Sequence, residues 1–580
     1  MSRIAVIEAE KCNQTRCGGL LCAKVCPVNR TGEECVFEGE DKKAKIIEDT
    51  CIGCGICPQK CPTNAITIIN LPEAFKSTPL HKYGDSGFQL YDLPIPLFGK
   101  IVGLLGKNGI GKSTALRILA GLLKPNFKTD KEATIGELIK HFKGTEAQIF
   151  FERLRDGKIS IAYKPQLVEQ IARSYTGTVR ELLSKINVDN LSAVAQSLDL
   201  TRVLDRDVSK VSGGELQRVA IAATMLKDGS VLCFDEPTNY LDIKQRIKAS
   251  RAIKALSNEE RAIILIEHDL IIMDYLADIV HILYGKENAY GIVSQPKSTK
   301  NGINVYLGGY LKEENVRFRD KAITFDTRPP HEVERDTELV RWPPITIEHP
   351  GFTFEASEGV INAHDVIGVL GENGIGKTTF LRELAKLKAT TKHGALIIAY
   401  KPQYIPVPPN TSVLEYLGDA LQYEQQLMKP LELHELLERN LEELSGGQLQ
   451  RVAIAKCLGE RADLYLLDEP SAYLDVEQRL RMSKIIREMM DLRGKACIVV
   501  DHDLLFLDYL CDRLIVFTGE PAVRGKAEGP FSMAAGMNLF LQDLNITFRR
   551  DEESRRPRIN KEGSVKDKEQ KSGGKLYYTG

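Results

Sequence analysis

Nowhere in the 580 residues does an uncharged apolar run approach the ~20 positions that a membrane-spanning helix needs. Even the greasiest stretch, from Ile263 to Leu283, carries Glu267, His268, Asp269, Asp274 and Asp278. The opening MSRIAVIEAE lacks the basic and apolar regions of a secretory signal, so a cytoplasmic protein is expected. Net charge is nearly absent too: 78 basic against 79 acidic residues leave −1. No bulk positive field gathers nucleic acid or anionic lipid, and any RNA contact has to use a local patch. Hydrophobic residues at 43% rule out global disorder. At ~150 residues per domain the length implies roughly four units.

Cysteine is plentiful but unevenly placed. Nine of the thirteen lie before residue 62, and Cys233, Cys457, Cys497 and Cys511 are scattered among apolar neighbours. Such clustering in a cytosolic chain points to metal rather than to disulfides. The order is Cys12-x4-Cys17-x4-Cys22-x3-Cys26-Pro27, then Cys51-x2-Cys54-x2-Cys57-x3-Cys61-Pro62. The second run matches the bacterial ferredoxin pattern, in which three close thiolates hold one iron-sulfur cube and the fourth, before proline, reaches the other. The crossing assigns Cys12, Cys17, Cys22 and Cys61 to one [4Fe-4S] cluster, and Cys26, Cys51, Cys54 and Cys57 to the other. Gly53 and Gly55 suit the tight loop around a cube, and Cys35 falls outside both quartets. Zinc prefers separated CxxC pairs about one ion, which two CP-terminated quartets do not supply. With no flavin, nicotinamide or haem signature in the chain, a structural role for the clusters is expected.

Beyond residue 76 the chain repeats itself. LLGKNGIGKSTALRILA from Leu104 returns as VLGENGIGKTTFLRELA from Val369, and VSGGELQRVAIA from Val211 returns as LSGGQLQRVAIA from Leu444. The serine of SGG precedes the aspartate of DEP by 23 residues in both copies. The expected fold is therefore α/β: an α+β ferredoxin-like head over residues 1–75, then two nucleotide-binding domains in tandem at 76–293 and 340–526. Segments 294–339 and 527–580 carry two similar Arg-rich codas, 301–320 and 537–551, read as hinge straps. From Ser554 onward the composition is polar and charged, and a solvated tail is expected. The first copy also carries about 28 extra residues near 126–158, whose apolar spacing reads as a helix-loop-helix.

Each repeat contains a P-loop between an apolar strand and a helix. In the first, Asn108, Gly109, Gly111, Lys112, Ser113 and Thr114 are the candidate ATP contacts; in the second, Asn373, Gly374, Gly376, Lys377, Thr378 and Thr379. Backbone N–H groups would close around phosphate, lysine would bridge the outer phosphates and the hydroxyl would hold Mg²⁺. VLCFDEP and LYLLDEP end buried strands in paired acids. Asp235 and Asp468 can hold Mg²⁺ with Ser113 and Thr378, while Glu236 and Glu469 are placed to polarise the attacking water. Gln166 and Gln403, within KPQ, can complete the metal shells, and His268 and His502 can hydrogen-bond the γ-phosphate. Ser212, Gly213 and Gly214, and Ser445, Gly446 and Gly447, precede helices and can also bind phosphate.

This arrangement resembles the ATP-binding cassette family, in which the SGG signature completes the site of the opposite domain. The resemblance implies that Lys112 and Glu236 share one ATP with Ser445 and Gly447, while Lys377 and Glu469 share the other with Ser212 and Gly214. Asp242 and Asp475 match the D-loops that cross the same interface. Adenine-stacking aromatics are expected just upstream of each P-loop strand, with Tyr83 or Phe88, and Phe352, as candidates. Twin cassettes behind a two-cluster head resemble subfamily E of the ABC proteins, the ribosome-recycling ATPases also called RNase L inhibitor, with a cysteine spacing closer to archaeal members. That resemblance implies a monomeric machine that splits ribosomes. It implies a class I release factor or its Pelota-like relative as partner, continued binding to the small subunit, and possible contact with initiation factors. In it the helix-loop-helix, with Lys140, Lys143, Arg153 and Arg155, would touch ribosomal RNA phosphates.

Overall fold

The computed structural model describes the chain apart from residues 1–2, 8–11, 40–41, 48–49, 53, 64, 71–77, 85–86, 320–321, 324, 326–336, 389, 392–393 and 579–580. Gly53, Asp320 at the end of the first coda, and the expected boundary at 75/76 lie outside the described residues. In the head, Arg3–Ile7 pairs antiparallel with Ile66–Asn70. A second ladder joins Val36–Glu38 to Ala44–Ile46, and short helices Gln14–Cys17, Leu21–Val25, Pro27–Arg30 and Ile56–Lys60 lie between.

Both cassettes are built on the same sheet. In the first, Ile161–Lys164, Val231–Asp235, Ala262–Ile266, Ile101–Leu105 and Ile279–Lys286 lie side by side and parallel. In the second, Ile398–Lys401, Leu464–Asp468, Ala496–Val500, Val366–Leu370 and Arg513–Glu520 repeat that order. The inner strands read as continuous Val, Ile and Leu runs because helices cover both faces of a parallel sheet. The P-loops, the DEP acids, the KPQ glutamines and the two histidines fall at the carboxyl ends of these strands, where open α/β sheets bind ligands. Strand Arg524–Ser532 carries the second sheet past residue 526.

One apolar cluster runs through both cassettes. It includes Met273 and Leu276 of the first, Leu504 and Phe506 of the second, and Tyr306, Met537 and Phe548 from the codas. The codas are folded straps, with helices Thr299–Gly308 and Met533–Leu544 followed by small hairpins. The expected solvated tail is corrected by the structure. Pro557–Ile559 pairs with Phe548–Arg550, Val565–Ser572 is a helix and Tyr577 is buried. Composition misleads there because the charges are neutralised internally: Arg556, fully buried, and Arg558 both bind Asp274 of the first cassette, at 3.1 and 2.5 Å.

The insertion forms helices Ile135–His141 and Glu146–Arg155, the first opened by a Thr134–Glu137 capping box. Phe142 and Phe151 stack beneath them, 5.7 Å between ring centres. Lys140 and Lys143 are exposed, whereas Arg153 lies over the Phe98 ring and Arg155 pairs with Asp156. No described helix is long and apolar enough to cross a membrane.

Candidate active site and cluster-binding head

Each P-loop curls around its own lysine. Lys112 Nζ donates to the carbonyls of Gly106 and Lys107 at 2.8 and 2.6 Å, and Lys377 Nζ to those of Gly371 and Glu372 at 2.9 and 2.5 Å. Burial pushes both ammonium groups down, Lys377 to about 8, because only nearby carboxylates oppose the loss of water. Gly111 and Gly376 adopt left-handed φ of 91° and 102°. A Cβ on Gly111 would stand 2.5 Å from Phe88 Cζ, and one on Gly376 would stand 2.9 Å from Phe354 and 3.2 Å from Phe352. Phe88 and Phe352 therefore pack beneath their loops. The Tyr83 ring is exposed, with its hydroxyl 3.4 Å from Thr114.

Ser113 donates to Asp235 at 3.2 Å and Thr378 to Asp468 at 2.9 Å. Burial raises both aspartates above the usual carboxylate range. Asp468 Oδ1 is buried without a hydrogen-bond partner, an orphaned acceptor beside the Thr378 hydroxyl. These hard oxygen donors fit Mg²⁺.

The two glutamates sit in left-handed backbone, φ 48° for Glu236 and 47° for Glu469. Such strain persists only where surroundings over-determine it. Here Lys164 donates to the carbonyls of Asp235 and Glu236 at 2.9 and 3.2 Å, and Gln217 to those of Glu236 and Pro237 at 2.8 and 2.9 Å. Around Glu469, Lys401 donates to the carbonyls of Asp468 and Glu469 at 2.7 and 3.2 Å, and Gln450 to that of Glu469 at 2.6 Å. Sequence reasoning missed these four residues, although their repetition within KPQ and LQRVAIA was a usable signal.

Burial alone would raise the Glu236 carboxyl, but hydrogen bonds from His268 at 3.1 Å and Gln166 at 2.9 Å, with the Lys112 charge, hold it at about 2. Glu469 is likewise held at about 2 against burial, with His502 3.5 Å away and Gln403 donating at 2.8 Å. The structure thus places both glutamines and both histidines on the glutamates. The His502 ring nitrogens are buried and without well-formed hydrogen bonds.

Ser212 and Ser445 cap their helices with their hydroxyls, and both are exposed. Asp242 and Asp475 do two jobs. One oxygen of each caps the following helix at 2.9 Å. The other reaches across the chain: Asp242 accepts the Asn373 N–H at 2.8 Å, and Asp475 accepts the Asn108 N–H at 3.3 Å. The D-loop of each cassette thereby touches the P-loop of the other.

In the head, Cys26, Cys51, Cys54 and Cys57 line a single cavity. Cys35, buried to 1% exposure, lines it as well, a placement that its position outside the quartets did not reveal. Cys22 lies beside Cys12 and Cys17. The Cys12 and Cys61 sulfurs accept backbone N–H groups of Ala44 and Ala65 at 3.4 and 3.3 Å. Among the described residues no three Cys, His, Asp or Glu side chains converge on one ion position. Burial, with the neighbouring Cys51 and Cys54, pushes the Cys57 thiol up to about 12.

The ABC transporter family profile matches residues 97–239 and 355–472, a possible Fer4-like domain of RNase L inhibitor matches 2–34, and a 4Fe-4S binding domain matches 44–67. An uncharacterized ABC transporter ATP-binding protein of Methanocaldococcus jannaschii is 46% identical, over 99% of this chain and 97% of its own length. ABC transporter E family member 1 of Arabidopsis thaliana is 43% identical over 100% and 99%. Among solved structures, archaeal ABCE1 in a ribosome-bound complex with Pelota superposes with a TM-score of 0.91 at 49% identity, covering 100% of this chain and 99% of that one. Archaeal ABCE1 in complex with the ribosomal stalk protein aP1 superposes with a TM-score of 0.82 at 49% identity, over 87% and 99%.

Proposed function

The chain belongs to subfamily E of the ABC proteins, the RNase L inhibitor family, and is an ABC-type ATPase; from that premise we propose that it recycles ribosomes, splitting them into subunits and then staying on the small one. The proposed partners are a class I release factor or Pelota-like factor, the small subunit through rRNA and protein, and initiation factors. The proposed setting is the cytoplasm, with the protein acting as a monomer. The relatives solved with Pelota on the ribosome and with a stalk protein support this reading.

The observation that carries it is the pair of crossed contacts, Asp242 to Asn373 and Asp475 to Asn108, because each P-loop then depends on the opposite half of the chain. An ATP held by Lys112 would be capped by Ser445, Gly446 and Gly447, and one held by Lys377 by Ser212, Gly213 and Gly214. Tyr83 has the exposure an adenine platform needs. Mg²⁺, when bound, neutralises phosphate charge; Ser113, Gln166 and Asp235 would hold one ion, and Thr378, Gln403 and Asp468 the other. Glu236 and Glu469, ionised and pinned, orient the attacking water and accept its proton, while His268 and His502 donate toward the outer phosphate.

Nucleotide binding draws the halves together and hydrolysis frees them, a rigid-body closure of the kind that turns small site changes into large movements. The head is the proposed lever. Two [4Fe-4S] clusters, held by Cys12, Cys17, Cys22 and Cys61 and by Cys26, Cys51, Cys54 and Cys57, supply cross-links that stiffen it. Arg16 of the head pairs with Glu438 of the second cassette, so cassette motion has a route to the head. Lys140 and Lys143 of the insertion are exposed and would meet rRNA phosphates. Co-sedimentation with purified small subunits tests the proposal: binding is expected with a non-hydrolysable ATP analogue and not without nucleotide, and no binding in either condition rejects it.

A further inference from the structure

Two ion pairs flank the crossed aspartate contacts, and their polarity is reversed between the two junctions. At the first, Lys107 of the P-loop meets Glu477, two residues beyond Asp475, at 3.1 Å. At the second, Glu372 of the P-loop meets Lys244, two residues beyond Asp242, at 2.7 Å. These positions correspond between the repeats: GKNG with GENG, and LDIK with LDVE. The first half thus presents lysine at both junction positions, and the second half presents glutamate at both. All four side chains are no more than one-third exposed, so water screens the pairs only partly.

The surroundings preserve this pattern. Glu477 also meets Arg319 of the first coda and Arg481 on its own helix, both at 3.2 Å. Lys244 also meets Asp543 of the second coda at 3.3 Å. Lys107 has Glu287 of its own half 3.8 Å away. Each junction residue therefore faces an opposite charge from the other half or its coda.

We propose that Lys107, Lys244, Glu372 and Glu477 form a pairing code that fits the first half to the second and rejects a like half from another copy of the chain. The two cassettes share their central strand order, P-loop and D-loop, so backbone shape at the junction would also accept first-with-first or second-with-second pairing. First-with-first contact would set Lys107 against Lys244 twice, and second-with-second would set Glu372 against Glu477 twice. Like charges placed against each other at a half-buried contact are a standard means of excluding wrong partners. Tethering already favours contact within one chain. The code adds discrimination when many copies crowd on neighbouring ribosomes.

This inference rests on the composite-site reading, and a charge swap in the full-length chain separates the two. Lys244→Glu sets two carboxylates together and is expected to raise the ATP concentration for half-closure, read from the distance between labels on the two cassettes, about tenfold. Adding Glu372→Lys restores it to within about twofold, because the pair is re-formed with reversed polarity. Lys107→Glu with Glu477→Lys repeats the test at the other junction if Lys244→Glu fails to fold. The swapped chain now carries lysine on both P-loops and glutamate on both helices, so like halves become compatible. In mixtures of ¹⁴N and ¹⁵N chains at ~100 µM with ATP, cross-links joining the first cassettes of two copies are expected to rise about fivefold over the natural chain. Absence of rescue, or no rise in those cross-links, overturns the code while leaving closure intact. A natural chain that does not close with ATP overturns the composite-site reading and the code with it.

Discussion

The Asn239 amide donates to the Glu236 carboxylate in the first site, whereas the methyl side chain of the corresponding Ala472 has no donor for the Glu469 carboxylate. The two sites are otherwise matched, each glutamate held by a lysine, two glutamines and a histidine. A donor on the outer oxygen lowers the basicity of Glu236 and occupies a position that a water proton needs. Asn239→Ala, placed in a Glu469→Gln background, is expected to speed single-turnover hydrolysis at the first site by about threefold to tenfold. A slower or unchanged rate contradicts this role.

Acid stability follows from the same carboxylates. Their folded values, about 2, lie below the ordinary 4.5. Groups depressed on folding stabilise the native state above the unfolded value, and that contribution fades as pH falls from about 4.5 toward 2. The Glu236→Gln/Glu469→Gln protein should therefore show a shallower loss of stability across that window than the natural chain, and a parallel dependence above it. Urea unfolding at a series of pH values checks this; identical slopes in the window contradict it.

Asp274 binds the tail through Arg556 and Arg558 across more than 280 residues of sequence. Asp274→Ala leaves buried guanidinium charge unpaired, and loss of one partner of a buried pair typically costs ~3–5 kcal/mol. Thermal unfolding should shift downward by several degrees, and limited proteolysis should begin cutting beyond Ser554. A tail that stays protected contradicts the docking seen here.

That tail marks the limit of what could be read from the sequence. The P-loops, DEP acids and SGG turns were legible because phosphate chemistry needs certain residue types close together in the chain. The insertion helices followed from apolar periodicity. Lys164 and Gln217 were missed because their role lies in contacts with Glu236 made 72 and 19 residues away. Arg556 looked solvated because its partner comes from another domain. The polarity reversal between Lys107 with Glu477 and Glu372 with Lys244 was present in the repeats, but it acquires meaning only once the halves face each other.

For the head, Cys57→Ser removes a buried thiol proposed as a ligand in one quartet. Iron content is expected to fall by about half, from roughly eight atoms toward four, with ATP binding retained by the cassettes. Iron analysis and nucleotide titration check both parts. Loss of ATP binding would mean that the head is part of the cassette fold.

The central claim is that trapping two nucleotides between the halves moves the iron-bearing head. The most direct measurement is a pair of label distances, one between the cassettes and one between head and second cassette, in Glu236→Gln/Glu469→Gln protein before and after adding ATP and Mg²⁺. The account predicts that the cassettes draw together and the head shifts in the same step. Cassettes that close while the head keeps its place, or that do not close at all, contradict it.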